Sequence, residues 1–163
     1  MNMKSNQQSL FHRRAAFSAT ALLCLISILF GCVAHKMQPR EPLSVLRANV
    51  IRASFDLLGK TYALGGRGPN AFDCSGLVYY AYKKAGVVLP ITAEEQNKIG
   101  VEVSRWSTVP GDLVFFKIKR EFHVGIMINE REFIHASKSR GVAIDDLSIP
   151  YWAKNLYGFR SVL

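Results

Sequence analysis

The sequence predicts an α+β domain, with helices packed on one antiparallel sheet. Two observations carry this. From Leu43 to Gly100 apolar residues recur at helical spacing, whereas from Asp112 to Val162 they fall into short alternating segments split by turns. Helices grouped ahead of a run of strands give segregated layers rather than the alternating order of a parallel sheet. Size and composition agree: 163 residues, 49% hydrophobic and 20% charged, suit one globular domain with a real core.

The elements follow in order. Leu43 to Leu58 places apolar residues at 43, 46, 50, 51, 55, 57 and 58, a helical spacing stopped by Gly59. Gly65 to Asn70 ("GGRGPN") is a loop, because three glycines and a proline hold no regular element. Asp73 is a natural N-cap for a helix reaching about Ala85 and closed by Gly86, with Leu77, Val78, Tyr80 and Ala81 as its buried face. Thr92 and Glu95 form a capping box, so a short helix follows and ends at Gly100. Strands are predicted over 112–118, 123–128, 132–136, 141–145 and 157–162.

The N-terminus reads as an export segment. Lys4, Arg13 and Arg14 precede the uncharged run from Ala15 to Phe30. That run is shorter than the ~20 residues of a membrane span and fits the apolar region of a secretory signal. An uncleaved anchor is the competing reading. "LFGC" (29–32) resembles a bacterial lipobox, which places a signal peptide over 1–31 and a lipidated Cys32. Phe30 departs from the small residue usual there. Acyl chains hold a domain to a bilayer at about 0.8 kcal/mol per buried methylene. Residues 32–42 form a polar tether with two prolines, and 43–163 the domain. Val33 and Ala34 lack the aspartate that often retains lipoproteins at the inner membrane, so by Gram-negative analogy the expected location is the outer membrane, facing the periplasm.

The first 31 residues carry three basic and no acidic residues, so the net charge falls from +9 to +6 when they leave. A basic exported protein suits an anionic surface such as lipid head groups or cell wall. Scattered solvated charge explains it equally well. No basic-aromatic interleaving or motif supports nucleic acid as a partner.

Of three cysteines, Cys24 leaves with the signal and Cys32 carries lipid, so Cys74 is the one free thiol of the mature chain. A lone thiol kept in an oxidising compartment points to reactivity. Packing is the plain alternative, since free cysteine often behaves as a small buried apolar residue. As the first residue after the Asp73 cap, Cys74 would meet the helix dipole and unpaired amides, which favour thiolate. Its own N–H could serve an oxyanion. Ser75 and Gly76 are small enough to admit a substrate carbonyl. Beyond the tether the histidines are His123 and His135, twelve residues apart in one predicted hairpin. An odd loop such as Asn129–Arg131 puts both on one face, diagonal across the pair. His123 would then be the base and His135 the group that orients it. Spacings of 49 and 12 fit no common structural zinc pattern, so no metal and no cofactor is expected.

"DCSG" (73–76), "HVGI" (123–126) and "FIHAS" (133–137) resemble the NlpC/p60 family of cell-wall cysteine peptidases. "YALGG" (62–66), "LPIT" (89–92), "GDLVFF" (111–116) and "PYW" (150–152) extend the likeness from about Leu43 to the C-terminus. The resemblance implies a papain-like α+β core with Cys74 as nucleophile, His123 as base and His135 as third polar residue. It also implies that Tyr62, Asp73 and Ser75 line the substrate site. Tyr62 could donate to an oxyanion, or simply pack in the core; Asp73 could be a plain N-cap. Ile91 stands where the family often has arginine, and Leu64 where tryptophan is common. The implied activity is that of a lipid-anchored, monomeric endopeptidase acting on peptidoglycan stem peptides or cross-links at a bond involving diaminopimelate. A non-catalytic wall-binding lipoprotein, and an acyltransferase or amidase on the same fold, are the alternatives.

Overall fold

The computed structural model describes residues 43–163; the signal segment, Cys32 and the tether predicted above lie outside the described residues. Helix α1 (Leu43–Phe55) and helix α2 (Cys74–Lys84) pack against each other. A short parallel pair, β1 (Thr61–Tyr62) and β2 (Ala71–Phe72), lies between them in sequence. Helix α3 (Ala93–Gln96) follows, then β3 (Val101–Val103), β4 (Leu113–Ile118), β5 (Glu121–Met127), β6 (Glu132–Ser137), β7 (Gly141–Asp146), helix α4 (Pro150–Asn155) and β8 (Leu156–Ser161). The six-stranded sheet runs β3-β8-β4-β5-β6-β7, and every pairing in it is antiparallel. The predicted α+β class holds.

The sheet carries two apolar faces. Leu113, Phe115, Val124 and Ile126 face α1 and α2, where they meet Val50, Val78, Ala81 and Tyr82. Val114, Phe116, Met127 and Phe133 face the other way and are covered by Trp152 of α4, with Leu147 and Phe159. Both faces are buried, so β4 reads as a continuous apolar run (Leu113 to Phe116 all fully buried) rather than an alternating one.

Several boundaries differ from the sequence reading. Helix α1 stops at Phe55, and Leu58 stays exposed, because the next residues turn toward the β7 edge, where Gly59 donates its N–H to Val142. Helix α3 ends at Gln96 rather than at Gly100, since turns fill the interval. Tyr82, not Tyr80, completes the buried face of α2, and its hydroxyl donates to the Gly111 carbonyl. Strands β1, β2 and β3 and helix α4 are additions, each too short for periodicity to register.

One charged contact ties the layers together. Arg47 of α1 donates to Asp112 at 2.8 Å, to the Pro110 carbonyl at 3.1 Å and to Ser161 of β8 at 2.9 Å. Asp112 is 1% exposed and also accepts the Val109 amide.

Candidate active site

The site forms where the sheet comes apart. Strands β5 and β6 pair at Ile126–Ile134 and Met127–Phe133, with the Ile128 amide bonded to the Glu132 carbonyl at the turn end. Away from the turn, Glu121 to Gly125 pair with β4 alone and His135 to Ser137 with β7 alone. The resulting gap opens into a cavity of about 620 Å³ whose walls include Tyr62, Asp73, Cys74, His123, His135 and Trp152. All three residues expected to perform chemistry, and all three expected to line the substrate site, meet this one cavity.

Cys74 opens helix α2 as expected, with Asp73 as its cap. The Asp73 carboxylate accepts the Gly76 amide at 2.7 Å, the Ser75 hydroxyl at 3.2 Å and the Gly65 amide at 2.9 Å. It thereby fixes the loop before β2 against the start of the helix. Ser75 is 7% exposed and its hydroxyl is committed to Asp73, so its contribution to the wall is positional. Gly76 is small for a different reason from substrate access: a Cβ there would overlap the Gly66 carbonyl oxygen.

The amide of Val124 is directed at the Cys74 sulfur, as are those of Ser75 and of Cys74 itself. Val124 is free to do this because β6 has parted from β5 at that point. The thiol nevertheless departs from expectation. Burial pushes its pKa above the ordinary cysteine value, the Asp73 charge adds to the rise, and the three amides only partly offset it. The helix N-terminus alone does not produce a resting thiolate.

The histidines stand as the hairpin geometry predicts. The loop between β5 and β6 has odd effective length, so His135 lies opposite Gly125 and His123 sits diagonally from it on the same face. Their rings are joined, His123 Nε2 to His135 Nδ1 at 2.9 Å. A Cβ on Gly125 would come within 2.7 Å of the Phe133 ring and 2.9 Å of the Ile134 carbonyl, so glycine leaves the space in which the two imidazoles meet.

The residue that sequence reasoning missed is Asp145. Its Oδ2 accepts from His135 Nε2 at 2.9 Å, from Trp152 Nε1 at 2.9 Å and from Arg140 Nη2 at 2.6 Å. Burial opposes its ionisation, but the bonds from Arg140 and Trp152 and the neighbouring His135 outweigh it, and the pKa lies below the usual carboxylate value. An ionised Asp145 only accepts, so His135 carries its proton on Nε2. Neutral His135 then accepts at Nδ1, and His123 must donate from Nε2. The lone pair of His123 is left on Nδ1. Trp152 stacks on His123 with ring centroids 5.4 Å apart and 23° between planes, which holds the ring flat.

Both imidazoles are neutral. Burial, then His135 and then Lys138 lower the His123 pKa to about 3, against a weaker opposing pull from Asp145. Burial also lowers His135, partly countered by Asp145. Tyr62 is pushed up, first by burial and then by Cys74, Asp73 and Glu121, so its hydroxyl keeps its proton and remains a donor. The arrangement is a neutral thiol and a neutral imidazole whose tautomer is set from behind. Among the described residues no cluster of three or more His, Cys, Asp or Glu side chains could hold a metal ion.

The NlpC/P60 family model matches residues 59–161. Escherichia coli K12 has a protein named "Probable endopeptidase NlpC" that is 36% identical over 151 residues, covering 85% of this chain and 98% of that one. The same strain's "Murein DD-endopeptidase MepS/Murein LD-carboxypeptidase" is 38% identical over 120 residues, covering 72% of this chain and 64% of that protein. The chain spans less than two thirds of some relatives, and the match takes in 22% of a p60 protein of Listeria monocytogenes. Among solved structures, an NLP/P60 family protein similar to lipoprotein from Staphylococcus aureus superposes with a TM-score of 0.68 at 33% identity, covering 78% of this chain and 44% of that one. This chain therefore belongs to the NlpC/P60 family.

Proposed function

We propose that this chain is a cysteine endopeptidase that hydrolyses an amide bond in peptidoglycan stem peptides or their cross-links, at a bond involving diaminopimelate. The observation that carries the reading is the line of groups from Asp145 through His135 to His123, ending on the wall of the cavity that holds Cys74. The names of the E. coli relatives agree with it.

In this reading His123 Nδ1 takes the thiol proton as the sulfur attacks the carbonyl carbon. Burial that keeps both groups neutral at rest favours transfer at the moment of attack over a standing ion pair. The imidazolium so formed shares its charge with His135 and, through it, with Asp145. The Cys74 amide and the Tyr62 hydroxyl are the donors available to the oxyanion. Collapse expels the amine, which takes the proton back from His123 and leaves a thioacyl enzyme. Water, deprotonated by the same nitrogen, then releases the acid and regenerates the thiol.

The domain is proposed to act as a monomer, exported and held by lipid on Cys32 at the periplasmic face of the outer membrane. Mass measurement of the mature N-terminus tests this, since a diacylglycerol adduct on Cys32 is expected and an unmodified or uncleaved N-terminus refutes it. For the activity, purified peptidoglycan is digested with the full chain and with Cys74→Ala, and the muropeptides are separated and weighed. New shortened or uncross-linked peptides are expected from the parent only. An unchanged profile refutes hydrolysis. Retained wall binding in that case supports the non-catalytic alternative, and a peptide bearing a transferred acyl group supports the transferase.

A further inference from the structure

Helix α3 is one turn long, and both of its ends are fixed. Thr92 accepts the Glu95 amide at 3.2 Å and donates to the Glu95 carboxylate at 2.9 Å, while the Gln96 amide donates back to the Thr92 carbonyl at 2.9 Å. The side chain that this turn sends inward is Gln96, which is fully buried. Its Nε2 donates to the Pro90 carbonyl at 2.8 Å and to the Ser75 carbonyl at 3.1 Å. Both partners can only accept, so the orientation of the amide is forced and both Nε2 hydrogens are used. Oε1 is left facing away. Among the described residues it is the one buried side-chain oxygen or nitrogen without a hydrogen-bond partner.

A buried acceptor without a donor opposes folding. Methionine would fill the same length without that oxygen, so packing alone does not account for an amide here. The amide reaches the residue that follows Cys74. Asp73 holds the first turn of α2 from its amide side, through the Gly76 N–H at 2.7 Å, and Gln96 holds it from the carbonyl side, through Ser75. The bond to Pro90 and the turn of α3 tie the same point to Ala93 and Glu94 of the cavity wall. Cys74 packs against the part of the core that contains Leu89 and Ala93. The turn is thereby held from two sides, and with it the aim of the sulfur toward the Val124 amide and of the Cys74 N–H into the cavity.

We infer that Gln96 is a positioning residue for the nucleophile: by holding the Ser75 carbonyl it sets how the sulfur and the amide of Cys74 stand against the sheet. Gln96 is fully buried and outside the cavity lining, so it acts through Cys74 and touches no substrate. The inference deepens the proposed function and rests on it for the rate, whereas the reactivity of the thiol reports on it without any turnover.

The test compares the full chain with Gln96→Met and Gln96→Glu. Methionine keeps the length and removes both the donor and the orphaned oxygen. Muropeptide release by Gln96→Met should show kcat lower by about 10- to 100-fold, as for a reacting atom displaced by up to an ångström, with KM within about twofold of the parent. In a fully buried site the introduced carboxyl stays protonated and keeps one donor, so Gln96→Glu should have a kcat between those of Gln96→Met and the parent. Iodoacetamide labelling of Cys74, read by mass on its peptide, should follow a higher pKa in Gln96→Met than in the parent, because the sulfur moves off the Val124 amide. A lower melting temperature with kcat and labelling pKa unchanged is the pattern of a merely structural residue and overturns the inference. So does a Gln96→Glu variant no faster than Gln96→Met. Should Gln96→Met fail to fold, Gln96→Glu carries the test: a reduced kcat at unchanged KM supports positioning, and a kcat equal to the parent's overturns it. Failure of the function is read separately. A parent chain that releases no muropeptide loses the hydrolase, and labelling alone then decides: a pKa raised in the variant keeps the positioning role, and an unchanged one overturns it.

Discussion

Replacing Asp145 by asparagine changes no volume and removes one charge. The amide that enters can present a donor where the carboxylate could only accept. If it donates to His135 Nε2, that histidine must carry its proton on Nδ1, facing His123 at 2.9 Å. His123 then has to accept at Nε2, which puts its own proton on Nδ1 and leaves no lone pair for the thiol. A general base is worth about 10²–10⁴ in rate, so kcat should fall by about that factor, or ~3–5 kcal/mol in barrier, with KM little changed. Stability should fall by about 1–3 kcal/mol, because Trp152 Nε1 and Arg140 Nη2 both donate to the oxygen that the amide nitrogen replaces, and the Trp152 donor is the buried one. Muropeptide release measured across substrate concentration gives kcat and KM. Nitrogen-15 histidine spectra report the tautomers directly and need no substrate. The parent should show His123 protonated on Nε2 and the variant on Nδ1. A parent His123 protonated on Nδ1, or a variant whose tautomers flip while kcat stays within about threefold, would refute the reasoning.

Three further outcomes are expected. Alkylation of Cys74 by iodoacetamide should follow a pKa above the ordinary cysteine value, since burial outweighs the amides aimed at the sulfur; a labelling pKa well below that value would contradict it. Stability should decline as pH falls from 6.5 towards 3. The unfolded chain takes up a proton on His123 near 6.5, whereas the folded one resists until about 3. The slope should approach ~1.4 kcal/mol per pH unit for that group, and urea titrations of His123→Ala should show a shallower decline. Arg47→Ala should destabilise by about 3 kcal/mol, because it strips Asp112, 1% exposed, of its counter-charge; a loss under about 1 kcal/mol would show that the Val109 amide suffices.

Much of the site could be read from local chemistry. The cap at Asp73 fixed where Cys74 stands, and the hairpin period placed His123 and His135 on one face. Asp145 could not be found that way. It lies next to Asp146 in "AIDD", and a shift of one residue in the β6–β7 register exchanges which aspartate faces His135. The thiol departs from its expected acidity for a related reason. A dipole can be inferred from one helix, but desolvation depends on what the sheet and loops bring over it. Helix α4 was likewise hidden: Pro150, Tyr151 and Trp152 gain their meaning only when Trp152 lands on the ring of His123.

The parting of β5 from β6 gives the pocket a rigidity that a loop-built site lacks. Backbone donors normally consumed in joining neighbouring strands are released there, yet each stays fixed by its partner on the far side. Because Ile126–Ile134, Met127–Phe133 and the Ile128–Glu132 bond join the strands at one end of the seam, the two halves of the sheet resemble a book held by a short length of spine. A substitution that lengthened the ladder by two rungs would close the book on the sulfur and silence the site, with every polar side chain still in place.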